Sequence, residues 1–490
     1  MRNQGIGSWP ARRARMTPGR VALSYRGRDH TYRDLRERVN RLASALDVRR
    51  GDRIAFLGVN QPSMVETFFA AGLLGAVFVP LNTRLAEPEL RFILEDADPA
   101  VLVLGEERDG EGLPGRHLPA AGYEALLASG SPEPIDEPVG QDDVCLIMYT
   151  SGTTGRPKGA MLTHANLTWN TVNLLVDVPL AHDEVVLISA PLFHIAALAQ
   201  TLVPSVLKGG RVVLESSFDV ERTFDLIEAE RVTVMFGVPS MFGLLARSPR
   251  WATADLSSLR HLLCGGAPVP EPLIRLYQER GLTFLQGYGM TEAAPGALFL
   301  GAEHSIDKAG TAGVPCFFSD VRLVAPDGSP AAPGEPGELY VQGPNVMPGY
   351  WRRPEESAEV LSADGWFRSG DVGVADEDGY VRISDRIKDV IISGGENIYP
   401  AEVESALYEH PAVAECALIG VPDEKWGEVG KALVVLRPGT VADGDELLKH
   451  LDGRLARYKI PKYLQFVAEL PKNAAGKLLK APLRKLYGEG

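Results

Sequence analysis

The segment Thr150-Ser151-Gly152-Thr153-Thr154-Gly155-Arg156-Pro157-Lys158-Gly159 gathers four hydroxyls, three glycines and a lysine directly behind the apolar run Val144–Tyr149. Glycine lets backbone N–H groups approach phosphate oxygens, hydroxyls donate further hydrogen bonds, and lysine brings a mobile positive charge. A plain turn needs two or three such residues, so this density points to a phosphate-binding loop. It is not the G-x-x-x-x-G-K-[ST] loop of nucleotide hydrolases and switches. Pro157 precedes the lysine and Gly159 follows it, so the second glycine and the metal-binding hydroxyl are both missing.

Other residues could complete such a site. Gln286-Gly287-Tyr288-Gly289-Met290-Thr291-Glu292 follows the apolar run Leu282–Leu285. A carboxylate beside phosphates offers a hard cation an oxygen ligand and offsets repulsion between charges. Cys264-Gly265-Gly266-Ala267-Pro268 is a strand-to-turn glycine pair, Ser369-Gly370-Asp371 and Asp385-Arg386 supply a carboxylate acceptor and a guanidinium donor, and Leu470–Lys477 is a glycine-bearing stretch ending in lysine. By residue type alone, Thr-Glu equally opens a helix, Asp371 is a turn residue, Lys477 a solvated charge and His194 a core histidine.

In their order the segments resemble the adenylate-forming enzymes: acyl-CoA synthetases, 4-coumarate–CoA ligases, luciferases and the adenylation domains of peptide synthetases. The resemblance runs from Thr31-Tyr32 to Lys477, nearly the whole chain. It implies ATP, Mg²⁺ and coenzyme A as cofactors and a carboxylic acid as substrate. Thr150, Ser151, Gly152, Thr153, Thr154, Gly155 and Lys158 would hold the β- and γ-phosphates, and Gly265, Gly266, Ala267 and Pro268 would wall the adenine pocket. Gln286, Gly287, Tyr288, Gly289 and Met290 would continue the nucleotide site, with Tyr288 against the adenine, Thr291 at the α-phosphate and Glu292 as the metal ligand. Asp371 and Arg386 would clamp the ribose. Lys477 would reach the carboxylate and the α-phosphate, stabilising charge during adenylation. Lys388 would be the hinge about which the C-terminal domain turns, presenting Ser393, Gly394 and Gly395, with Glu396 and Asn397, to coenzyme A.

The chemistry follows from the reactants. A carboxylate acylates poorly because its leaving group is oxide. Its attack on the α-phosphorus of ATP expels pyrophosphate and makes a mixed anhydride with AMP, which a thiol then displaces. The first step asks for alignment and charge neutralisation more than for covalent catalysis. By alignment with the family, His194, Ala196, Val238, Gly265, Gly289, Met290, Pro295 and Gly296 surround the acyl group, with His194 at its carboxylate end. Coumarate ligases commonly have tyrosine at the position of Ala196 and valine at that of Gly296, so the cavity here is larger. That suits a methoxylated ring and also an alkyl chain. The opening Met1–Pro10 and Leu263–Pro268 resemble bacterial feruloyl-CoA synthetases, which implies ferulate or a related hydroxycinnamate. The alternatives are a medium- or long-chain fatty acyl-CoA synthetase and a stand-alone adenylation module loading a carrier protein.

Something must hold these segments together, and the hydropathy pattern says what. Short β-branched runs (Arg53–Val59, Val77–Leu81, Ala100–Leu104, Val185–Ser189, Arg211–Leu214, Thr233–Phe236, His261–Leu263) alternate with helix-length stretches. That alternation predicts α/β architecture, with parallel sheets covered by helices on both faces. Residues 105–138, rich in Gly, Pro and Glu, read as a surface excursion. From about Ser319, short strands and turn clusters such as Pro326-Asp327-Gly328 predict a small β-rich subdomain, 319–385. The expected division is an N-terminal adenylation domain, 1–385, and a mobile α+β C-terminal domain, 386–490.

A formal charge of −14 argues against general nucleic-acid binding, because phosphate backbones reward a basic face. The four cysteines, Cys145, Cys264, Cys316 and Cys416, form no CxxC pair and read as isolated buried thiols. No apolar stretch is long enough to span a bilayer. The arginine-bearing N-terminus lacks an apolar run and reads as a short helix packing Trp9 onto the body. A cytoplasmic enzyme is expected, with a homodimer as its possible assembly.

Overall fold

The computed structural model describes residues 2–150, 157–266, 269–386, 389–393, 396–423, 425–452, 454–455, 457–472 and 478–488. Its first half is α/β, as the alternating pattern requires. Val77–Leu81, Arg53–Leu57 and Val101–Leu104 pair in parallel within a seven-stranded sheet, and Val77–Leu81 is buried at every position. A strand covered on both faces must be apolar throughout, which is why these runs do not alternate. Val144–Thr150 joins this sheet in parallel beside Val77–Leu81, Lys158–Thr163 folds back antiparallel to it as a hairpin, and Gly349–Tyr350 adds the edge by pairing with Ala160 and Met161.

A second sheet has nine strands. Its parallel centre runs Phe284–Gly289, His261–Gly265, Val234–Gly237, Val185–Ile188 and Arg211–Leu214, and Gly296–Leu300 lies antiparallel beside Phe284–Gly289. The helix Pro62–Leu74 is mostly apolar and buried along nearly its whole length, its buried Glu66 paired with Arg38. It ends where Gly75 takes φ +67°, the left-handed conformation that glycine adopts without a Cβ clash.

The start of the chain packs on this helix as expected, with Trp9 only 8% exposed. A Cβ on Gly7 would stand 2.1 Å from the carbonyl carbon of Gly72, so the two backbones touch. Asn3 Nδ2 donates to Leu73 O at 3.1 Å, Gln4 N to Val139 O at 2.9 Å, and Ile6 N to His164 Nδ1 at 3.1 Å.

The β-rich part is a four-stranded antiparallel sheet of Asp320–Val324, Pro336–Gln342, Phe367–Ala375 and Val381–Arg386. Beyond it lies a five-stranded sheet dominated by the long pair Val413–Asp423 and Gly427–Leu436, with its own apolar clusters. All four cysteines are free and buried, and no described helix is long and apolar enough to cross a membrane.

Some boundaries differ from the sequence reading. The excursion 105–138 holds the two-residue strand His117–Leu118 and the helix Ala120–Ser129, which buries Tyr123 and Leu127. Its signal is faint because alanine and glycine fill the helix. In the C-terminal part the helix Gly444–Leu451 is capped by the Asp443 side chain, which accepts from Glu446 N.

Candidate active site

Thr150 and Lys158 pair across the hairpin, so the two ends of the phosphate-loop segment lie side by side. Ser151, Gly152, Thr153, Thr154 and Gly155 lie outside the described residues, as do Ala267, Pro268, Lys388, Gly394, Gly395 and Lys477. Lys158 forms an ion pair with Glu356, and its Nζ stands 5.5 Å from the centre of the Tyr350 ring. The hydroxyl of the same Tyr350 donates to Glu292 Oε1 at 2.9 Å. One tyrosine therefore joins the loop lysine to the expected metal carboxylate.

Thr291 and Glu292 sit in a single 3₁₀ turn, Thr291–Ala293, closed by Ala294 at φ +63°. Two backbone contacts and one side chain hold the turn. Met347 N donates to Glu292 O at 2.8 Å and Met290 N to Pro295 O at 3.0 Å. The fully buried Asn345 donates through Nδ2 to both Ala293 O, at 2.8 Å, and Gly296 O, at 2.7 Å.

The nucleotide end depends on close backbone approach. Gly265 and Gly287 are register partners, and a Cβ on Gly265 would stand 2.7 Å from Gly287 O. A Cβ on Gly289 would fall 1.7 Å from Pro295 O, and Gly266 has φ +84°. These positions accept no side chain, which leaves a shallow backbone-lined cradle suited to a flat ring. Gln286 stands beside Cys264 in the same pair of strands and is buried. Tyr288 Oη donates to Asp371 Oδ2 at 2.5 Å, so the expected adenine and ribose residues are in contact across 83 positions of sequence. Asp371 is 7% exposed; its N–H donates to Ser369 Oγ at 3.0 Å, and that hydroxyl donates to Leu339 O at 2.6 Å. Arg386 is the register partner of Asp371.

The acyl end is built differently. Asn60 holds the loop before His194, donating to Ala190 O at 2.9 Å and accepting from Leu192 N at 2.8 Å. His194 then caps the short helix Ile195–Ala197, which continues as a π-helical turn, Leu198–Leu202. Burial, with Arg84 nearby, pushes the His194 imidazole down to about 4, so the ring is neutral at physiological pH. Its Nε2 is buried without a hydrogen-bond partner among the described residues. Ala196, Val238 and Met290 are half-buried against the main core, and Val238 Cγ1 lies 3.5 Å from where a Gly266 Cβ would be. Around Gly296, a Cβ would meet Asn170 Oδ1 at 3.2 Å and both Cys316 Sγ and Gln200 Nε2 at 3.6 Å. Ser393 belongs to the five-stranded sheet, where it pairs with Gly427.

The sequence reading missed Tyr350, Asn345, Asn60 and Gln200. Tyr350 has no local signature, since its role arises from a strand pairing with Ala160 that spans 190 positions. Gln200 follows His194 within an apolar helix, and a polar residue there was the one available signal.

Residues 10–351 match the AMP-binding enzyme model and residues 402–477 the AMP-binding enzyme C-terminal domain. The chain belongs to the AMP-binding enzyme family. A feruloyl-CoA synthase of an Amycolatopsis species is 57% identical to this AMP-binding enzyme over 494 aligned positions, covering 100% of both chains. The o-succinylbenzoate CoA synthetase of Bacillus subtilis, solved with its acyl-adenylate intermediate OSB-AMP, superposes with a TM-score of 0.88 at 37% identity, covering 97% of this chain and 98% of that one. The same synthetase solved with ATP and a magnesium ion gives 0.89 at 36% identity, covering 97% and 99%.

Proposed function

We propose that this AMP-binding enzyme is an acid–thiol ligase that activates ferulate, or a close hydroxycinnamate, as its adenylate and passes the acyl group to coenzyme A. The observation that carries the chemistry is the convergence of distant segments on one site: Tyr288 bonded to Asp371, and Tyr350 joining Glu292 to Lys158. The choice of ferulate rests on the end-to-end likeness to a feruloyl-CoA synthase.

In this reading the cradle of Gly265, Gly266, Gly287 and Gly289 takes the adenine with Tyr288, and Asp371 accepts from the ribose hydroxyls, with Arg386 beside it. Thr150, Ser151, Gly152, Thr153, Thr154, Gly155 and Lys158 hold the terminal phosphates, and Thr291 the α-phosphate. Glu292 would hold Mg²⁺, and an oxygen donor fixed by Tyr350 fits a hard cation. When bound, the ion neutralises phosphate charge. His194, neutral and with its Nε2 unpartnered among the described residues, would face the carboxylate, and Lys477 stabilises charge on the α-phosphate as pyrophosphate leaves. Ser393, Gly394 and Gly395 form the thiol entry once residues 386–490 have turned about Lys388. A cytoplasmic enzyme, homodimeric in solution, completes the reading.

A spectrophotometric panel of ferulate, coumarate, cinnamate, benzoate, octanoate and palmitate with ATP and CoA tests it. Ferulate or coumarate should lead, and equal rates on octanoate and ferulate would defeat the aromatic assignment. Lys477→Ala should lose acid-dependent pyrophosphate exchange by about 10²–10³-fold, the scale of one charge-stabilising donor. It should still form thioester from supplied acyl-AMP.

A further inference from the structure

The substitution of small residues at Ala196 and Gly296 enlarges the acyl site but does not by itself explain a preference for a phenol. Three polar side chains gather where the Gly296 Cβ would stand: Asn170, Cys316 and Gln200. Asn170 is already engaged at both ends of its amide. Its Oδ1 accepts from Gly296 N at 3.1 Å and its Nδ2 donates to Ala199 O at 3.2 Å. Cys316 is a buried neutral thiol, its ionisation pushed up to about 12 by burial, and a thiol is a weak hydrogen-bonding group. Gln200 differs from both. Its Oε1 is buried without a hydrogen-bond partner among the described residues, and its Nε2 is the atom that reaches toward Gly296.

We propose that the Gln200 carboxamide is the group that reads the ring hydroxyl of the acid, resting on the assignment of a hydroxycinnamate to this site. A phenolic oxygen can donate and accept at once, so it complements an amide in either orientation. An alkyl chain or an unsubstituted ring offers neither function and leaves the amide without a partner in the ligand. Such mismatches discriminate more strongly than a missing methylene does. The π-helical turn Leu198–Leu202 carries Gln200. Turns of this kind are rare, and those that occur are frequently at functional sites. Asn170 ties that turn, through Ala199, to Gly296, so the reader and the floor of the pocket move together.

The experiment compares ferulate with 3-methoxycinnamate, which lacks only the hydroxyl, in acid-dependent pyrophosphate exchange. The wild-type protein should favour ferulate by about 10–100-fold in kcat/KM. Gln200→Met, close to isosteric, should bring the ratio to within about threefold, through KM for ferulate, while exchange with 3-methoxycinnamate is kept. An unchanged ratio in Gln200→Met overturns the proposal. So does a wild-type ratio near one, a result that needs no variant. If the wild type ignores every cinnamate and exchanges with octanoate instead, the hydroxycinnamate reading itself has failed, and that outcome is distinct from either of the others.

Discussion

The two ends of the site are built on opposite plans. At the nucleotide end the protein satisfies most of its own groups: Tyr288 bonds Asp371, Tyr350 bonds Glu292, Asn345 takes two carbonyls, and glycines bring backbones into contact, with the buried Gln286 Nε2 as the exception among the described residues. At the acyl end the protein leaves atoms unsatisfied, His194 Nε2 and Gln200 Oε1 among them, around residues that are small. Interlocked contacts leave little room for variation, and ATP does not vary. Unpaired polar atoms cost stability in the empty protein, and that cost is recovered only when a matching ligand arrives. The comparison suggests that shared chemistry is stored in contacts within the chain, and specificity in contacts the chain declines to make.

The contrast can be broken most severely at Gly289. Gly289→Ala would drive a methyl into Pro295 O, at 1.7 Å. It should cost roughly 3 kcal/mol of stability, as overpacking does. Pyrophosphate exchange should fall about 100-fold or more, equally for every acid, and an effect on ferulate alone would contradict the division.

Acid should separate the ends next. His194 is held at about 4, below its ordinary 6.5. Between those values the unfolded chain binds a proton that the folded one refuses, so stability falls as pH drops from 6.5 toward 4. By linkage this one ring accounts for ~3 kcal/mol across that window. His164, buried under the N-terminal segment and likewise held at about 4, contributes in the same sense. Denaturant midpoints of His194→Asn and His164→Asn should each show a shallower pH slope than wild type, and an unaltered slope would show the rings are not the source.

A milder cut is Tyr288→Phe, which removes the 2.5 Å bond to Asp371. A hydrogen bond to a charged group is worth about 1.5–3 kcal/mol. The expected loss is roughly 10–100-fold in kcat/KM for ATP, by the same factor with ferulate as with cinnamate. The smallest effect belongs to Gly296→Ala. Its methyl would sit 3.2 Å from Asn170 Oδ1 and narrow the ring pocket. Ferulate turnover should fall about fivefold, on the order of 1 kcal/mol, with cinnamate nearly unchanged.

What could be read from the sequence follows the same division. The strand that leads into the phosphate-loop segment, the other buried strands and the glycine pairs were legible because each is a local demand: a covered strand, a turn, a close approach. Tyr288 and Asp371 could be named, but they lie in different sheets, and only the packing of those sheets puts one against the other. Tyr350, Asn345 and Asn60 were silent, since an asparagine that collects carbonyls looks like any loop asparagine until the fold brings the carbonyls to it. The strand Val413–Asp423 runs to eleven residues, a length its short apolar centre does not announce, because pairing with Gly427–Leu436 carries it further. The π-helical turn at Leu198–Leu202 has no period of its own in an apolar stretch.

The seating of the first residues bears on the order in which the molecule can be made. Gly7 lies on Gly72, Gln4 donates to Val139 and Ile6 to His164. Residues 4–7 are therefore made well before their last berth, which lies more than 150 residues downstream. At a synthesis rate of about 5–20 residues per second, that segment waits many seconds before its site exists. It is fitted only after chain made later has folded beneath it.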